Sequence, residues 1–294
     1  MKIASPISRM GLGTSRLASL GSALSRRQAT VLLHTAIDHG IRVIDTADTY
    51  GSGDSERAIG VALRERPRDD FFLITKAGFT HVALPSFLSP LNQVGKKLLQ
   101  KVSAAKNFSK PYVLRCLERS LKRLRVDHVD AFLLHEPVAG EPSSQSWEAL
   151  EQIRARGMSR FTGVSTSDPE VVSQGIASGQ VSLVETSVSL AAPHAEEIGR
   201  ICAGQQVQVI ANEVLKPRSA LERSGTTWDS IRKHHGVASV STVHLLIAYA
   251  AAQPGVSSVI IGTKSPGHLV ENLQALQYSE GRQALFAEMK EAFA

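Results

Sequence analysis

Residues 42–51 read RVIDTADTYG, and this stretch decides the fold. The β-branched pair Val43-Ile44 runs into a carboxylate, Asp45, and a phenol, Tyr50, follows a few residues later. Gly51-Ser52-Gly53 comes next, a combination that breaks regular structure. Between Ser55 and Leu63 a helical period returns. An acid and a phenol are thereby set just past the carboxyl end of a buried strand. In β/α proteins that end carries the chemistry.

Outward from this unit the same order of strand, turn and helix repeats. Residues 9–13 read as a first strand, and Ser25 as the cap of a helix over Arg26–Asp38 that stops at Gly40. Val43–Asp45 is the second strand, 55–64 its helix and 71–75 the third strand. Ser109 caps the next helix, with Pro111 in its first turn and Val113, Leu114, Leu117, Leu121 and Leu124 as an inward stripe. A strand over 129–134 precedes a helix over 145–155. A strand over 161–164 leads through the cap Asp168-Pro169 to a helix over 170–177. The later units pair 184–188 with 195–203, 208–211 with 241–252, and Val256–Ile261 with 266–276, leaving 280–293 as a terminal helix.

Strand-like runs alternating eight times with helices predict an α/β chain, a (β/α)8 TIM barrel forming a single domain over residues 1–294. The alternative is an open doubly wound sheet. That fold wants a glycine fingerprint after its first strand. In Gly11-Leu12-Gly13-Thr14-Ser15-Arg16, arginine stands where the third glycine belongs.

Composition narrows the class of partner. A net charge of +6 permits an anionic ligand, but only 5% of residues are aromatic and no basic stripe carries interleaved stacking rings, which argues against nucleic acid. No apolar run approaches the ~20 residues of a membrane span, and the N-terminus lacks an export pattern, so no membrane partner and a cytoplasmic location are expected. Cys116 and Cys202 have no metal or redox spacing and read as two buried thiols.

In a barrel, whatever ends each strand faces one mouth. Asp45 and Tyr50 follow the second strand, Lys76 the third, and His135 the fourth. Taken singly, a lysine or histidine there is more often a structural residue. Together the four suit one task. A phenol, with a pKa near ~10, is a poor proton donor at neutral pH unless a neighbouring cation favours its phenolate. Lys76 supplies that cation, Asp45 holds the ammonium, and His135 can donate a hydrogen bond to a substrate oxygen. The product is a general acid aimed at a carbonyl that receives a hydride.

Asp45-Thr46-Ala47-Asp48-Thr49-Tyr50-Gly51, Ile74-Thr75-Lys76, Leu133-Leu134-His135-Glu136-Pro137 and Gly163-Val164-Ser165 resemble the aldo-keto reductases, and the resemblance runs from the first strand to the last repeat. It implies a barrel holding NADP(H), with NAD(H) as the alternative, extended across its mouth. It also implies Tyr50 as proton donor, Lys76 and Asp45 tuning it, and His135 orienting a small carbonyl or alcohol substrate. For the cofactor it implies Thr14 after the first strand, Ser165 on the carboxamide, and Leu215 after the seventh strand. The last repeat, Gly262-Thr263-Lys264-Ser265 with His268, Glu271 and Asn272, would meet the 2′-phosphate and adenine. No metal ligand set is expected.

Three positions depart from the family's pattern. Thr166 replaces the usual asparagine, Glu185 the usual glutamine, and Asn212 the aromatic ring that stacks on the nicotinamide. Glu185 can accept from an amide but cannot donate unless protonated. These departures leave a competing reading, a non-catalytic dinucleotide-binding sensor or regulatory barrel. The intact tetrad opposes it.

The stretch 79–110 is an inserted basic loop with Lys96, Lys97, Lys101, Lys106 and Lys110 and no acid. Val94, Leu98, Val102 and Ala105 fall near helical spacing, which suggests either a lid favouring an anionic substrate or a solvated basic face. His234-His235, in a polar connection without a third ligand at metal spacing, reads as surface. Trp147 and Trp228 suggest packing only.

Overall fold

Side chains along a strand alternate between its two faces, so a closed parallel sheet has an inner and an outer set. The computed structural model, which describes residues 7–17, 24–80, 105–223 and 225–293, sorts the chain that way. Strands β1 (Met10–Gly13), β2 (Val43–Asp45), β3 (Phe72–Ala77), β4 (Val129–His135), β5 (Ser159–Ser165), β6 (Leu183–Ser187), β7 (Gln208–Asn212) and β8 (Val256–Ile261) close in chain order into a parallel barrel. Val43, Phe72, Ile74, Leu133, Leu183 and Ile210 belong to the inner cluster. A larger apolar layer joins the outer strand faces to the surrounding helices.

Those helices are α1 (Arg26–Asp38), α2 (Asp54–Ala62), α3 (Lys110–Leu124), α4 (Ser144–Ala155), α5 (Pro169–Ala177), α6 (Ala195–Gly204), α7 (Arg218–Arg223), α8 (Thr226–His234), α9 (Thr242–Ala251), α10 (Pro266–Asn272) and α11 (Gln283–Phe293). Local chemistry starts and stops them where expected. Ser25 and Gln28 form a reciprocal capping box at α1. Gly40 takes the left-handed φ of 78° just past its end. Asp168 accepts the amides of Glu170 and Val171 at α5.

Several boundaries differ from the expectation. β3 runs on through Lys76 and Ala77, and β4 through His135, because the ladder Lys76↔Leu133, Ala77↔Leu134 and His135↔Ser165 continues to the mouth. The helix expected over 266–276 ends at Asn272 and tightens into a 3₁₀ segment, Leu273–Tyr278. The terminal helix begins at Gln283. The polar connection before α9, for which the sequence pattern predicts no element, contains α7 and α8. Leu221, Trp228 and Ile231 from these helices join Leu245, Leu246 and Met289 in a second apolar cluster, and Trp228 Nε1 donates to Thr242 Oγ1 at 3.0 Å.

His234 therefore closes a helix. The expectation that no third ligand-type group stands near is corrected: Glu288 of α11 lies 2.6 Å from His235 Nε2 and 3.4 Å from His234 Nδ1. The proposed helix in the inserted loop, with Val94, Lys96, Lys97, Leu98, Lys101 and Val102, lies outside the described residues. The ends of that loop pair with each other. Thr80 N donates to Ala105 O and Asn107 N to Gly78 O, so the insertion leaves and re-enters the barrel at one point. Lys106 contacts Glu136 O and Glu141, and Lys110 pairs with Glu148. Among the described residues no helix is long and apolar enough to cross a membrane.

Candidate active site

The inward alternation that places Val43, Phe72, Ile74, Leu133, Leu183 and Ile210 inside the barrel also turns Asp45, Lys76, His135, Glu185 and Asn212 inward at the carboxyl ends of their strands. Lys76 is fully enclosed. Its ammonium contacts Asp45 Oδ1, reaches Thr46 O at 3.3 Å and lies 3.1 Å from Glu185 Oε2. Glu185 Oε1 in turn accepts from Asn212 Nδ2 at 2.7 Å.

Tyr50 reaches this group by an unusual turn. Gly51, Ser52 and Gly53 carry φ values of 58°, 57° and 89°, three successive left-handed residues that two glycines make affordable. The turn throws the chain from β2 into α2 and leaves Tyr50 over the mouth. It is anchored from below. Ser55 Oγ donates to Thr14, and the buried Glu56 accepts from Thr75 Oγ1 at 2.7 Å and Arg123 Nε at 2.6 Å. The Tyr50 ring lies 5.5 Å from Lys76 Nζ and meets the His135 ring edge-on at 6.0 Å. Phe79 packs edge-on against the same imidazole at 5.1 Å.

Burial sets the protonation states. Desolvation tends to lower the Lys76 pKa, but Asp45, Glu185 and Tyr50 outweigh it and hold the ammonium charged. His135 falls to about 3 through burial and the nearby Lys76 and Lys106 cations, so it is neutral. Asp45 is pushed up to about 8 by burial and then Glu185, against the pull of Lys76. For Tyr50 the largest influence, Lys76, lowers the pKa as the sequence suggests. Burial, Asp45 and Glu185 together exceed it, and the phenol stays above its ordinary value.

Above these groups opens a cavity of about 1200 Å³. Tyr50, Asp45, His135, Ser165, Glu185 and Asn212 all line it. Thr166, Leu215 and Gly262 line it too, but the Thr166 hydroxyl is already engaged, donating to Pro137 O and accepting from Asp168 N. Thr14 is fully buried, and its hydroxyl donates to Asp45 O. Thr263, Lys264, Ser265, His268, Glu271 and Asn272 stand beyond the cavity lining, around the start of α10. There Ser265 Oγ accepts from His268 N, and Thr263 Oγ1 from Ser265 N. Sequence reasoning missed Ser187, Arg16 and Phe79. Ser187 was findable as the next inward position after Glu185. Phe79 had no periodic signal.

The rim between β1 and β8 is built from backbone. A Cβ on Gly13 would come within 2.9 Å of Ile260 Cγ2 and near Gly262, so the groove there depends on bare glycine. Across the cavity, His135 Nδ1 is buried without a hydrogen bond, while Glu185 Oε2 is held by the Lys76 ammonium. A long polar ligand laid from the Gly13–Gly262 rim toward Ser165 and Asn212 fits these residues.

The family model described as the aldo/keto reductase family matches residues 9–292. A D-threo-aldose 1-dehydrogenase from a Pseudomonas species is 27% identical over 97% of this chain and 94% of its own length. A probable voltage-gated potassium channel subunit beta from rice is 26% identical over 92% and 90%. An aldo/keto reductase from Klebsiella pneumoniae, solved with NADP and acetate, superposes with a TM-score of 0.75 at 26% identity, covering 97% of this chain and 91% of that one.

Proposed function

Because the chain belongs to the aldo/keto reductase family, and so to the NAD(P)-dependent oxidoreductases acting on CH–OH and C=O groups, we propose that it interconverts a small aldehyde, ketone or sugar with its alcohol and that Tyr50 carries the proton. NADP(H) is the proposed preferred cofactor, with the start of α10 at its adenosine end and Ser165 at its nicotinamide end. The observation that most supports this reading is the stacking of groups at the mouth. Tyr50 and His135 line the cavity, and a permanently charged Lys76 lies beneath them, held by Asp45.

Bound dinucleotide supplies or accepts the hydride. The rest falls to the protein. In reduction the Tyr50 O–H bond breaks and its proton passes to the substrate oxygen, leaving a phenolate that Lys76 stabilises. Neutral His135 donates a hydrogen bond to that oxygen and fixes its direction. In oxidation the phenolate takes the alcohol proton back. Phe79, packed edge-on against His135, holds the imidazole in that orientation.

Tyr50→Phe tests the assignment. Turnover of NADPH with a panel of aldehydes, aldoses and phosphorylated aldehydes should fall by roughly 10²–10⁴-fold, while dinucleotide binding persists. One observation favours a second reading, a dinucleotide-binding regulatory barrel: Thr166, Glu185 and Asn212 depart from the family's nicotinamide contacts, and their side chains are engaged with Pro137 O and with each other. Tight dinucleotide binding with no turnover on any carbonyl, unchanged in Tyr50→Phe, would replace the reductase with that reading.

A further inference from the structure

The floor of the site holds more negative charge than a single lysine can balance. Asp45 from β2 and Glu185 from β6 both contact the Lys76 nitrogen, and all three side chains are almost wholly enclosed, at 3%, 1% and 0% exposure. The other groups facing them are the Tyr50 phenol, the neutral His135 imidazole of β4 and the Asn212 amide of β7. Arg16, Lys106 and Lys216 also line the cavity; Lys106 is engaged with Glu141 and Glu136 O, and Lys216 with Glu213. Two ionised carboxylates around one ammonium would leave a buried excess anion, and such a pair binds a proton instead. Asn212 settles the geometry: its amide donates to Glu185 Oε1 and turns the other oxygen to Lys76.

We propose that Asp45 and Glu185 act as one acid pair sharing a proton across Lys76, with Glu185 a positioning residue that sets the pH at which Tyr50 can deliver its proton. The inference rests on the reading of Tyr50 as proton donor. When the pair holds its proton, the floor is neutral before proton transfer and carries one negative charge after it, on the phenolate. When the pair is fully ionised, the same transfer puts a second uncompensated anion beside the first, and reduction slows. The proton stays within the pair during this step, and only the Tyr50 O–H bond breaks. The upward push on Asp45, to about 8, agrees with a proton held there at neutral pH.

The experiment compares wild type with Glu185→Gln, which keeps the shape and removes the second charge. Carbonyl reduction by wild type should fall as pH rises through about 8. In Glu185→Gln that alkaline limb should move up by at least about one unit, a relative gain of about tenfold at the high end. Asn212→Ala, which removes a hydrogen bond to the ionised form, should move the limb the same way by less. A second readout needs no turnover. In an Asp48→Asn background, the infrared band of a protonated buried carboxyl should be present near neutrality, vanish on alkaline titration, and be absent once Glu185→Gln is added. Identical alkaline limbs in wild type and Glu185→Gln overturn the proposal. So does the absence of the band, which also decides the matter if Glu185→Gln does not fold. If Tyr50→Phe retains turnover, the underlying reading fails, while the infrared result still stands or falls by itself.

Discussion

Asp48 sits in the same decisive stretch as Asp45 and Tyr50 but takes no part in the proposed proton transfer. It is buried at 1% exposure, beside the Cys116 thiol and the Thr49 amide. Burial, and then the neighbouring Glu56, push its pKa to about 8, with Arg123 pulling the other way. The folded protein thus holds this proton more tightly than the unfolded chain does. Stability contributed by the protonated form is present at low pH and is lost as pH rises from the ordinary carboxylate range through about 8. His135, depressed to about 3, acts oppositely, costing stability as pH falls below the ordinary imidazole range. Asp48→Asn should therefore gain stability over wild type as pH rises, by up to ~1.4 kcal/mol per unit between about pH 4 and 8. Denaturant unfolding of both proteins at several pH values measures that slope. Parallel curves would mean that Asp48 titrates normally.

At the scale of elements, the contact of α2 with α3 rests on Gly60. A Cβ there would come 2.5 Å from Arg123 O and 2.6 Å from Leu124 O, rigid backbone at the end of α3. Gly60→Ala should cost roughly 1–3 kcal/mol by overpacking, although alanine is the better helix former. A thermal melt distinguishes the two effects by sign. The same elements show what the sequence reveals and conceals. β2 and β8 match their expected bounds because apolar runs end at a carboxylate or a glycine turn. β3 and β4 extend further because the polar Lys76 and His135, which end their apolar runs in the sequence, are recruited by ladder partners distant in sequence. α7 and α8 escaped notice since Leu221, Trp228 and Ile231 are sparse among polar residues, and α9 and α11 provide their apolar surroundings. The tetrad was legible as residue types at strand ends. The contact of Glu185 with Lys76 was not, because it depends on two strands facing each other across the barrel.

Considered as a whole, the molecule closes its sheet with β1, which pairs with β2 on one side and β8 on the other. Closure leaves no open sheet edge. Arg9 helps to close the seam, its guanidinium donating to Val256 O and Ala251 O at 2.8 Å. It also gives the lysines of one chain very different accessibility. Lys216, at the rim, is exposed and paired with Glu213, whereas Lys76 has no exposed surface and keeps two acids on its nitrogen. An amine-acylating reagent needs a free, unprotonated nitrogen. Lys216 should accordingly be labelled within the native protein, and Lys76 only when the barrel opens, which peptide mass spectrometry over a denaturant series can follow. Early labelling of Lys76 would show a floor that breathes on its own. The nitrogen proposed to assist proton transfer is thereby out of reach of adventitious chemical damage, and a covalent mark at that position would record that a molecule had once come apart.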